Sequence, residues 1–529
     1  MEHYLPNSTC LFPSASASAS IPFLLLLIAL FTGAVVVAAT RKSKTSPPPH
    51  NLPPGPWKLP IIGNLHQLAG PVPTHRRLRD MAKDHGPVMR LQLGELPHVI
   101  VSSAAAAKDV LKTHDAALAS RPYLLAADIL FYGRKGITFT PSGEYWRRMR
   151  KICTAELLST RRVLSYRSIR EDELSGSLVQ RISTSAGRVV NLGETLFWVS
   201  NRVIARSAFG VVKENAESFM DVVNSISDQL GGLAVSDLYP SVKFLPALTG
   251  FRAELTRLHR EADGLLEEII NEHKEKRRQL NKGEYSCEQV DSTENLVDVL
   301  LDLQENCTDV ESPLTIDNIK AVATELLLAG SGTSPVTIEW TMSEIMSNPR
   351  VLAKVQEEVR RAFRGKGKVG EEGLDELVYL DAVIKEALRL HPDGPLLAPR
   401  ESQEDVVVGG YLVPARTKVM VNVWAIGRDK SSWDDADTFY PERFFDCAVD
   451  YKGKDFEFLP FGAGRRMCAG ISFGMGIVKL GLANLLYHFD WELPAGMKSS
   501  DLDMTERFGL TLRRNCPLCL IPIAYNSVS

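Results

Sequence analysis

The stretch FGAGRRMCAG, residues 461–470, places a cysteine between two glycines and beside a pair of arginines. Glycine allows tight turns and close backbone approach, so this loop can fold tightly around the sulfur of Cys468. An apolar run beginning at Ile471 predicts a helix, and the positive N-terminal end of a helix stabilises a thiolate. The stretch therefore predicts a loop that holds a charged cysteine sulfur.

The same residues fit the pattern F-x-x-G-x-R-x-C-x-G at every fixed position and so resemble the cysteine-ligand loop of the cytochromes P450. The resemblance implies that Cys468 is the thiolate ligand of the iron of haem b, a ligand that favours O–O cleavage. It also implies that Arg466 contacts a haem propionate and that Phe461 shields the sulfur from water. Gly464 and Gly470 would permit the close approach of the loop to the sulfur.

Two further motifs of this family lie on predicted helices. Glu386 and Arg389 form E-x-x-R, and a spacing of three puts both side chains on one helix face. Surface helices contain many such pairs, but Arg443 follows in PERF, and the resemblance implies a buried structural network of all three side chains. Trp146 and Arg150 form W-x-x-x-R, one turn apart, and the resemblance implies that both reach haem propionates.

Residues 315–348 predict one long central helix with Thr315 as its N-cap. The interior is unusual because it contains Gly330, Gly332 and Pro335, and mid-helix a glycine costs about 1 kcal/mol and a proline about 3 kcal/mol. Proline also lacks an N–H, so the carbonyl four residues earlier loses its helical partner. Such a break indicates either a packing kink or a functional groove.

The oxygen-activation motif of the family, A/G-G-x-D/E-T-T/S, occurs at residues 329–334 with one departure. Thr333 and Ser334 are present, but Gly332 replaces the acid that helps to bring protons from solvent. In one interpretation, ordered water and the free carbonyl of Ser331 relay protons and hydroxylation continues. In the other, the enzyme rearranges hydroperoxides without O2. Retention of Thr333 and Ser334 favours the first.

The candidate pocket residues, taken from their positions in the family pattern, are nearly all apolar. None is charged and placed to hold a carboxylate or an amine, which suits a hydrocarbon-like substrate such as a sesquiterpene or diterpene. The candidates are Leu124, Ile129, Ile137, Leu326, Ala329, Leu396, Leu397, Phe508, Gly509 and Leu510.

The segment LPPGPWKLPIIGNLHQL at residues 52–68 resembles the plant microsomal members of the family, which act mainly on terpenoids and in some cases on alkaloids or phenolics. An alkaloid or phenolic substrate is therefore the alternative. A non-catalytic haem-binding membrane protein is a different class of interpretation. It is disfavoured because a carrier haem usually has two protein ligands, and no second ligand stands in a suitable motif.

The N-terminal residues predict a single-pass anchor in the endoplasmic reticulum membrane. Residues 21–40 are almost all apolar, and at about 1.5 Å per residue they span a hydrocarbon core of about 30 Å. Basic residues follow at once and none precedes, so the positive-inside rule predicts a luminal segment at 1–20 and a cytosolic body. A cleaved signal peptide would want a basic start and a shorter apolar core. Residues 41–56 predict a basic, proline-rich hinge.

Residues 57–529 then form the predicted catalytic domain, mainly α with small β-sheets near its N-terminal part. This is the cytochrome P450 fold preceded by a single N-terminal transmembrane helix. With 44% hydrophobic residues the chain is not disordered, and a net charge of −3 argues against nucleic acid as a partner. Eight scattered cysteines predict reduced thiols facing the cytosol.

The resemblance implies NADPH–cytochrome P450 reductase as the electron donor, together with a small hydrophobic substrate and membrane lipid as the other partners. A basic patch would receive the acidic surface of the reductase, aiding its orientation and on-rate. The residues predicted for the patch are Arg147, Arg148, Lys151 and Arg465.

Overall fold

The computed structural model describes residues 51–210, 214–230, 234–281, 294–306, 313–445, 447–494 and 496–525. The predicted luminal segment at 1–20, the anchor at 21–40 and most of the hinge lie outside these ranges. Among the described residues, no helix is both long enough and apolar enough to cross a bilayer. The last hinge residues contact the body, because the carbonyl of Pro54 accepts a hydrogen bond of 2.8 Å from the N–H of Arg90.

Long helices make up most of the body, which confirms the predicted mainly helical class. They are α1 Thr74–His85, α2 Glu144–Ile152, α3 Leu192–Phe209, α4 Glu214–Leu230, α5 Phe251–Asn281, α6 Leu296–Asn306, α7 Ile316–Ser347, α8 Pro349–Ala362, α9 Val378–Leu390 and α10 Ile471–His488. Shorter helical segments are Leu65–Leu68, Ala104–Lys108, Asp109–Thr113, Asp115–Leu118, Leu125–Leu130, Cys153–Leu157, Thr160–Ser165, Arg167–Glu171, Asp172–Leu178, Val179–Ser183, Val235–Leu238, Leu245–Leu248, Leu374–Glu376, Val423–Ile426, Pro441–Phe444, Gly464–Arg466 and Ser499–Asp501.

The central helix α7 begins and ends where its sequence predicts. The hydroxyl of Thr315 accepts a hydrogen bond from the N–H of Asn318, whose side chain accepts one in return from the N–H of Thr315. The helix continues through Pro335. A Cβ on Gly330 would lie 2.5 Å from Cδ1 of Ile204 on α3, so this glycine allows α3 to pack closely against α7.

Small sheets accompany the helices. Their strands are β1 Val88–Leu93, β2 Leu96–Val101, β3 Val190–Asn191, β4 Arg400–Glu401, β5 Val406–Val408, β6 Tyr411–Val413, β7 Lys418–Val421, β8 Phe489–Glu492, β9 Glu506–Arg507, β10 Arg513–Arg514 and β11 Cys519–Ala524. The strand order is β1-β2-β7-β4 in the largest described sheet, with further pairings β3-β11-β8, β5-β6 and β10-β9.

The expectation that the sheets lie near the N-terminal part is wrong for most strands. β1 and β2 come early, but β2 pairs in parallel with β7, with His98 opposite Lys418 and Val101 opposite Val421. A parallel pair needs a long crossover connection, and here the connection contains most of the helices. Local alternation in the sequence predicts a strand but not a partner three hundred residues away.

The core surrounds α7 and positions the loop at 461–470. Buried side chains of α3, α9 and α10, such as Leu196, Leu388 and Leu482, belong to the same apolar cluster as Ile338 of α7. Gly474 lies in the first turn of α10, and a Cβ there would be 3.5 Å from Oγ of Ser334 on α7. The start of α10 therefore lies beside the middle of α7, and the cysteine loop that precedes α10 lies there too.

Candidate functional site

The loop around Cys468 is held by its own backbone. The N–H of Cys468 donates to the carbonyl of Phe461 at 3.0 Å, and the N–H of Met467 donates to the carbonyl of Gly464 at 3.1 Å. Gly464 has a φ of 70°, and a Cβ there would be 2.3 Å from the carbonyl oxygen of Leu111. Only glycine fits at this position.

Gly470 was also expected to permit a close approach of the loop to the sulfur, but its surroundings are open. Its φ is −95°, which any residue adopts, and no atom lies within 4 Å of the position that a Cβ would take. The residue lines a cavity of about 280 Å³ together with Cys468, close to the lower end of the volumes of ligand pockets. A side chain at Gly470 would therefore occupy ligand space, and glycine keeps that space open.

Cys468 faces this cavity from the N-terminal end of α10. Burial raises the pKa of its thiol, whereas the N–H of Gly470 and the charge of Arg150 lower that pKa. Both lowering effects favour the thiolate, which is the form of cysteine that binds metals. The side chain of Phe461 packs edge-on against Tyr451, with ring centres 5.3 Å apart.

Three arginines line the same cavity without a carboxylate partner among the described residues. Arg150 donates to the carbonyl of Met467. Arg466 donates to the carbonyls of Ala119, Ile137 and Thr140 at 2.8, 2.9 and 2.5 Å. Arg121 donates to the carbonyls of Thr138, Ala398 and Pro399 at 2.9, 2.5 and 2.8 Å. Arg121 belongs to no local motif, so its sequence context does not mark it as a site residue.

These positive charges face one another. Burial, with the charges of Arg400 and Arg150, lowers the pKa of Arg466 to about 9. Arg400 itself is neutralised by Asp115 at 2.7 Å. A group that brings two carboxylates would relieve the repulsion among the unpaired guanidiniums. A haem has two propionates, so the donor set and the cysteine together fit a haem.

Trp146 contacts the backbone of Ile137 and the side chain of Arg466. It is buried, and its indole N–H donates to the carbonyl of Ile137 at 3.1 Å. The guanidinium carbon of Arg466 lies 3.8 Å from the centre of the Trp146 ring. With its only donor used on the backbone, Trp146 supports Arg466 instead of facing the cavity itself.

Thr333 and Ser334, the two hydroxyl residues of the groove on α7, both line the cavity. The hydroxyl of Thr333 donates to the carbonyl of Ala329 at 2.9 Å. Ser334 is buried, and its hydroxyl also lies beside Gly474 of α10. A Cβ on Gly332 would approach only Cγ2 of Thr511, at 3.9 Å. Space is therefore open where other members of the family carry an acid.

The E-x-x-R pair forms a buried network with Arg443. Glu386 accepts from Nε of Arg389 at 2.7 Å, from Nε of Arg443 at 3.0 Å and from the N–H of Tyr440 at 2.8 Å. Arg389 also donates to the carbonyls of Gly427, Ala436 and Thr438. Glu386 and Arg389 are both almost completely buried, so the charges are paired and hydrogen-bonded, as burial requires.

The structure brings only part of the predicted pocket to the cavity. Ile137, Leu326 and Ala329 line it. The other candidates do not, because they pack into neighbouring apolar clusters or lie in the loop before β10; these are Leu124, Ile129, Leu396, Leu397, Phe508, Gly509 and Leu510. The wall of the cavity also contains the acidic residue Glu325, whereas the sequence predicted no charged residue in the pocket. Its Oε2 accepts from the N–H of Ile137 at 2.6 Å, and Oε1 has no partner among the described residues.

Comparison with known proteins agrees with this geometry. The family model described as Cytochrome P450 matches residues 53–517. Premnaspirodiene oxygenase of Hyoscyamus muticus is 48% identical over 95% of this chain and 98% of that protein. Desmethyl-deoxy-podophyllotoxin synthase of Sinopodophyllum hexandrum is 48% identical over 97% of this chain and 96% of that protein. A zebra fish cytochrome P450 solved with progesterone has the same fold, with a TM-score of 0.72 and 24% identity over 86% of this chain and 100% of that chain.

Proposed function

This chain belongs to the cytochrome P450 family and is a haem-thiolate monooxygenase, and from that premise we propose that it hydroxylates a small terpenoid, a sesquiterpene or diterpene. The observation that carries the substrate class is the apolar wall formed by Ile137, Leu326 and Ala329 beside Thr333. A hydrocarbon gains from burial against such a wall and needs no polar anchor. A relative whose name describes it as an oxygenase of premnaspirodiene supports the same class.

Haem b, when bound to Cys468, supplies O2 activation, in which two electrons and two protons are consumed, one oxygen atom enters the substrate and the other leaves as water. Arg121, Arg150 and Arg466 would hold the two propionates through their charge. In the loop at 461–470 the N–H of Gly470 favours the ionised sulfur of Cys468, as does the charge of Arg150. The protein's remaining task is to exclude water while still delivering protons.

Thr333 is the residue that we assign to proton handling at the reacting oxygen. Thr333 and Ser334 of the oxygen-activation motif both line the cavity, but the hydroxyl of Ser334 also lies beside Gly474 of α10, so we assign the role to Thr333. Water in the open space beside Gly332 would connect this hydroxyl with solvent. Rearrangement of a hydroperoxide, the alternative reaction, would need neither NADPH nor these protons.

The electron donor in this proposal is NADPH–cytochrome P450 reductase. Arg150 on α2 contacts the carbonyl next to Cys468, so the outer face of α2 covers the thiolate loop. Arg147 and Lys151 are exposed on that helix, and Arg465 on the loop itself is also exposed. Arg148, the fourth residue of the predicted patch, is partly buried. A basic surface at the point nearest the thiolate suits an acidic redox partner.

The endoplasmic reticulum membrane is the proposed location, with the body on the cytosolic side. Large apolar side chains are exposed close to the hinge, including Trp57 at 67% and Ile61 at 46%. The segment that follows α4 adds Phe244 at 67% and Leu248 at 75%, and Tyr239 in it reaches the carbonyl of Ile61. An apolar surface beside the predicted anchor suits contact with lipid.

The substrate class is tested with microsomes that contain this protein and the reductase. We expect NADPH-dependent oxygenation of sesquiterpene or diterpene hydrocarbons, and no turnover of lignans, other phenolics or alkaloids offered in parallel. Turnover confined to phenolics or alkaloids would refute the terpenoid assignment and leave the monooxygenase class intact. Product from an added hydroperoxide without NADPH, together with no oxygenation of any hydrocarbon when NADPH is supplied, would favour the rearrangement reaction.

A further inference from the structure

The carboxyl group of Asp393 lies close to the groove residues of α7 and has no role in the site described above. Asp393 follows α9, and its carbonyl accepts a hydrogen bond of 2.8 Å from the N–H of Leu512. The neighbouring Thr511 is the residue that faces the open position beside Gly332. The same short turn therefore contacts both Asp393 and the place from which the family acid is missing.

The side chain of Thr337 links Asp393 to the backbone of the groove at Thr333. Its Oδ2 lies 3.0 Å from Oγ1 of Thr337, and that hydroxyl lies 3.1 Å from the carbonyl oxygen of Thr333 one turn earlier. The single hydrogen of Thr337 cannot be donated to both oxygens. If the carboxyl of Asp393 is protonated, it donates to Thr337, and Thr337 donates to Thr333. Both short contacts are then satisfied.

The surroundings of Asp393 also favour its protonated form. Its Oδ1 is buried with no hydrogen-bond partner among the described residues. Burial raises its pKa to about 7, against a lowering effect from Thr337. The charged groups on the packed elements are engaged elsewhere: His391 with Glu344 at 2.7 Å, and Arg513 with the Thr511 hydroxyl at 3.3 Å. The charge of Asp393 raises the pKa of Cys468, so a thiolate at Cys468 also favours the protonated form of Asp393.

We propose that Asp393 is the proton-delivery residue of this enzyme and replaces the acid that is absent at Gly332. In this step the O–H bond of the Asp393 carboxyl would break as its proton moves to Oγ1 of Thr337, while Thr337 would release its own hydrogen, turned away from the Thr333 carbonyl, to groove water. That water would in turn supply a proton to the oxygen atom that leaves as water. No electrons move, and the carboxylate takes up its next proton from solvent. The inference rests on the monooxygenase reaction and not on the terpenoid assignment.

The first test reads the protonation of Asp393 directly in the haem-loaded protein. Infrared difference spectra between pH 5 and pH 9 should show a protonated-carboxyl band that is lost around pH 7. The band should be missing in Asp393→Asn and retained in Glu339→Gln. Glu339 is a different buried acid, on α7, and burial raises its pKa as well. A spectrum of Asp393→Asn equal to that of the wild type would overturn the proposal.

The second test uses the protein with reductase and NADPH but no organic substrate, so it does not depend on the substrate class. Electrons then end either in hydrogen peroxide or in water, and only water formation requires O–O cleavage. We expect Asp393→Asn to raise the peroxide fraction roughly twofold or more, because a lost proton donor slows cleavage. Adding Gly332→Asp should restore the wild-type fraction, and Glu339→Gln should leave it unchanged.

A structural role for Asp393 predicts a different pattern, with loss of haem and no rescue by Gly332→Asp. Asparagine has the shape of aspartate and can donate to Thr337, so we expect the reduced, CO-bound spectrum of Asp393→Asn to remain of the thiolate type. If that variant fails to bind haem, Thr337→Val separates Asp393 from the groove while the acid is kept, and it should raise the peroxide fraction to the same extent. An unchanged peroxide fraction in the haem-loaded variants would refute the inference.

Discussion

Replacing Glu386 with alanine should destabilise the protein strongly through the charge that it leaves behind. Arg389 is 1% exposed and would lose the one carboxylate that it contacts among the described residues, while Arg443 would lose the same partner. Removing one member of a buried ion pair costs about 3–5 kcal/mol. For a chain of this length the entropy of unfolding is roughly 1 kcal/mol/K, so the melting temperature should fall by roughly 3–5 °C.

The chain contains a matched control with the same spacing. Glu254 and Arg257 on α5 also read E-x-x-R and are joined at 2.7 Å, but both side chains are exposed, at 42% and 51%. Water screens this pair, so Glu254→Ala should leave the melting temperature unchanged. Both variants are compared at one scan rate by loss of the haem absorption band, because unfolding of large proteins is often irreversible. Equal melting temperatures for Glu386→Ala and Glu254→Ala would refute the reasoning.

Four further predictions follow from the site and the fold. Cys468→Ser should abolish the thiolate-type CO spectrum and all monooxygenation, because an alkoxide is a poorer donor to iron; normal turnover would contradict the ligand assignment. Deletion of residues 1–40 should leave a haem protein that is partly soluble and still binds lipid vesicles through exposed residues such as Trp57 and Leu248; failure to bind haem would show that the anchor belongs to the fold. Thr333→Ala should raise peroxide release, whereas Gly332→Asp should keep or improve the fraction of NADPH electrons in product; no change in NADPH use, peroxide or product in Thr333→Ala would favour the rearrangement reaction. Burial raises the pKa of Glu506, but its hydrogen bonds with His75 and Arg76, at 2.9 and 2.7 Å, and the nearby charge of His391 outweigh this effect and hold that pKa far below its ordinary 4.5. The resulting stability is present above pH 4.5 and is lost as the pH falls below it, so acid unfolding of Glu506→Gln should depend less steeply on pH than that of the wild type.

Local sequence was sufficient for the parts of the site that lie within one loop or one helix. The cysteine loop, the first turn of α10 and the cap of α7 at Thr315 depend on residues only a few positions apart. Backbone preferences and short-range hydrogen bonds decide such features, and both can be inferred from residue type and spacing. The family resemblance identified haem as the group that this loop binds.

The charges around the cavity were decided by tertiary structure. Arg121 and Asp393 belong to no local motif, and their surroundings come from segments far apart in the chain. Gly330 and Gly332 of α7 also show that neighbouring residues in the sequence do not predict tertiary contacts. Gly330 is required because Ile204 of α3 approaches it, whereas the space at Gly332 is open. Their sequence context is almost identical, so the packed neighbour is what distinguishes them.

By itself, the sequence determined the helical body, the cysteine ligand and the side chains that share a helix face. Only the tertiary structure decided that Glu386 and Arg389 are buried while Glu254 and Arg257, at the same spacing, are exposed. The reason is physical: helix geometry depends on the nearest few residues, but the energy of a charge depends on the water and partners that distant segments leave around it.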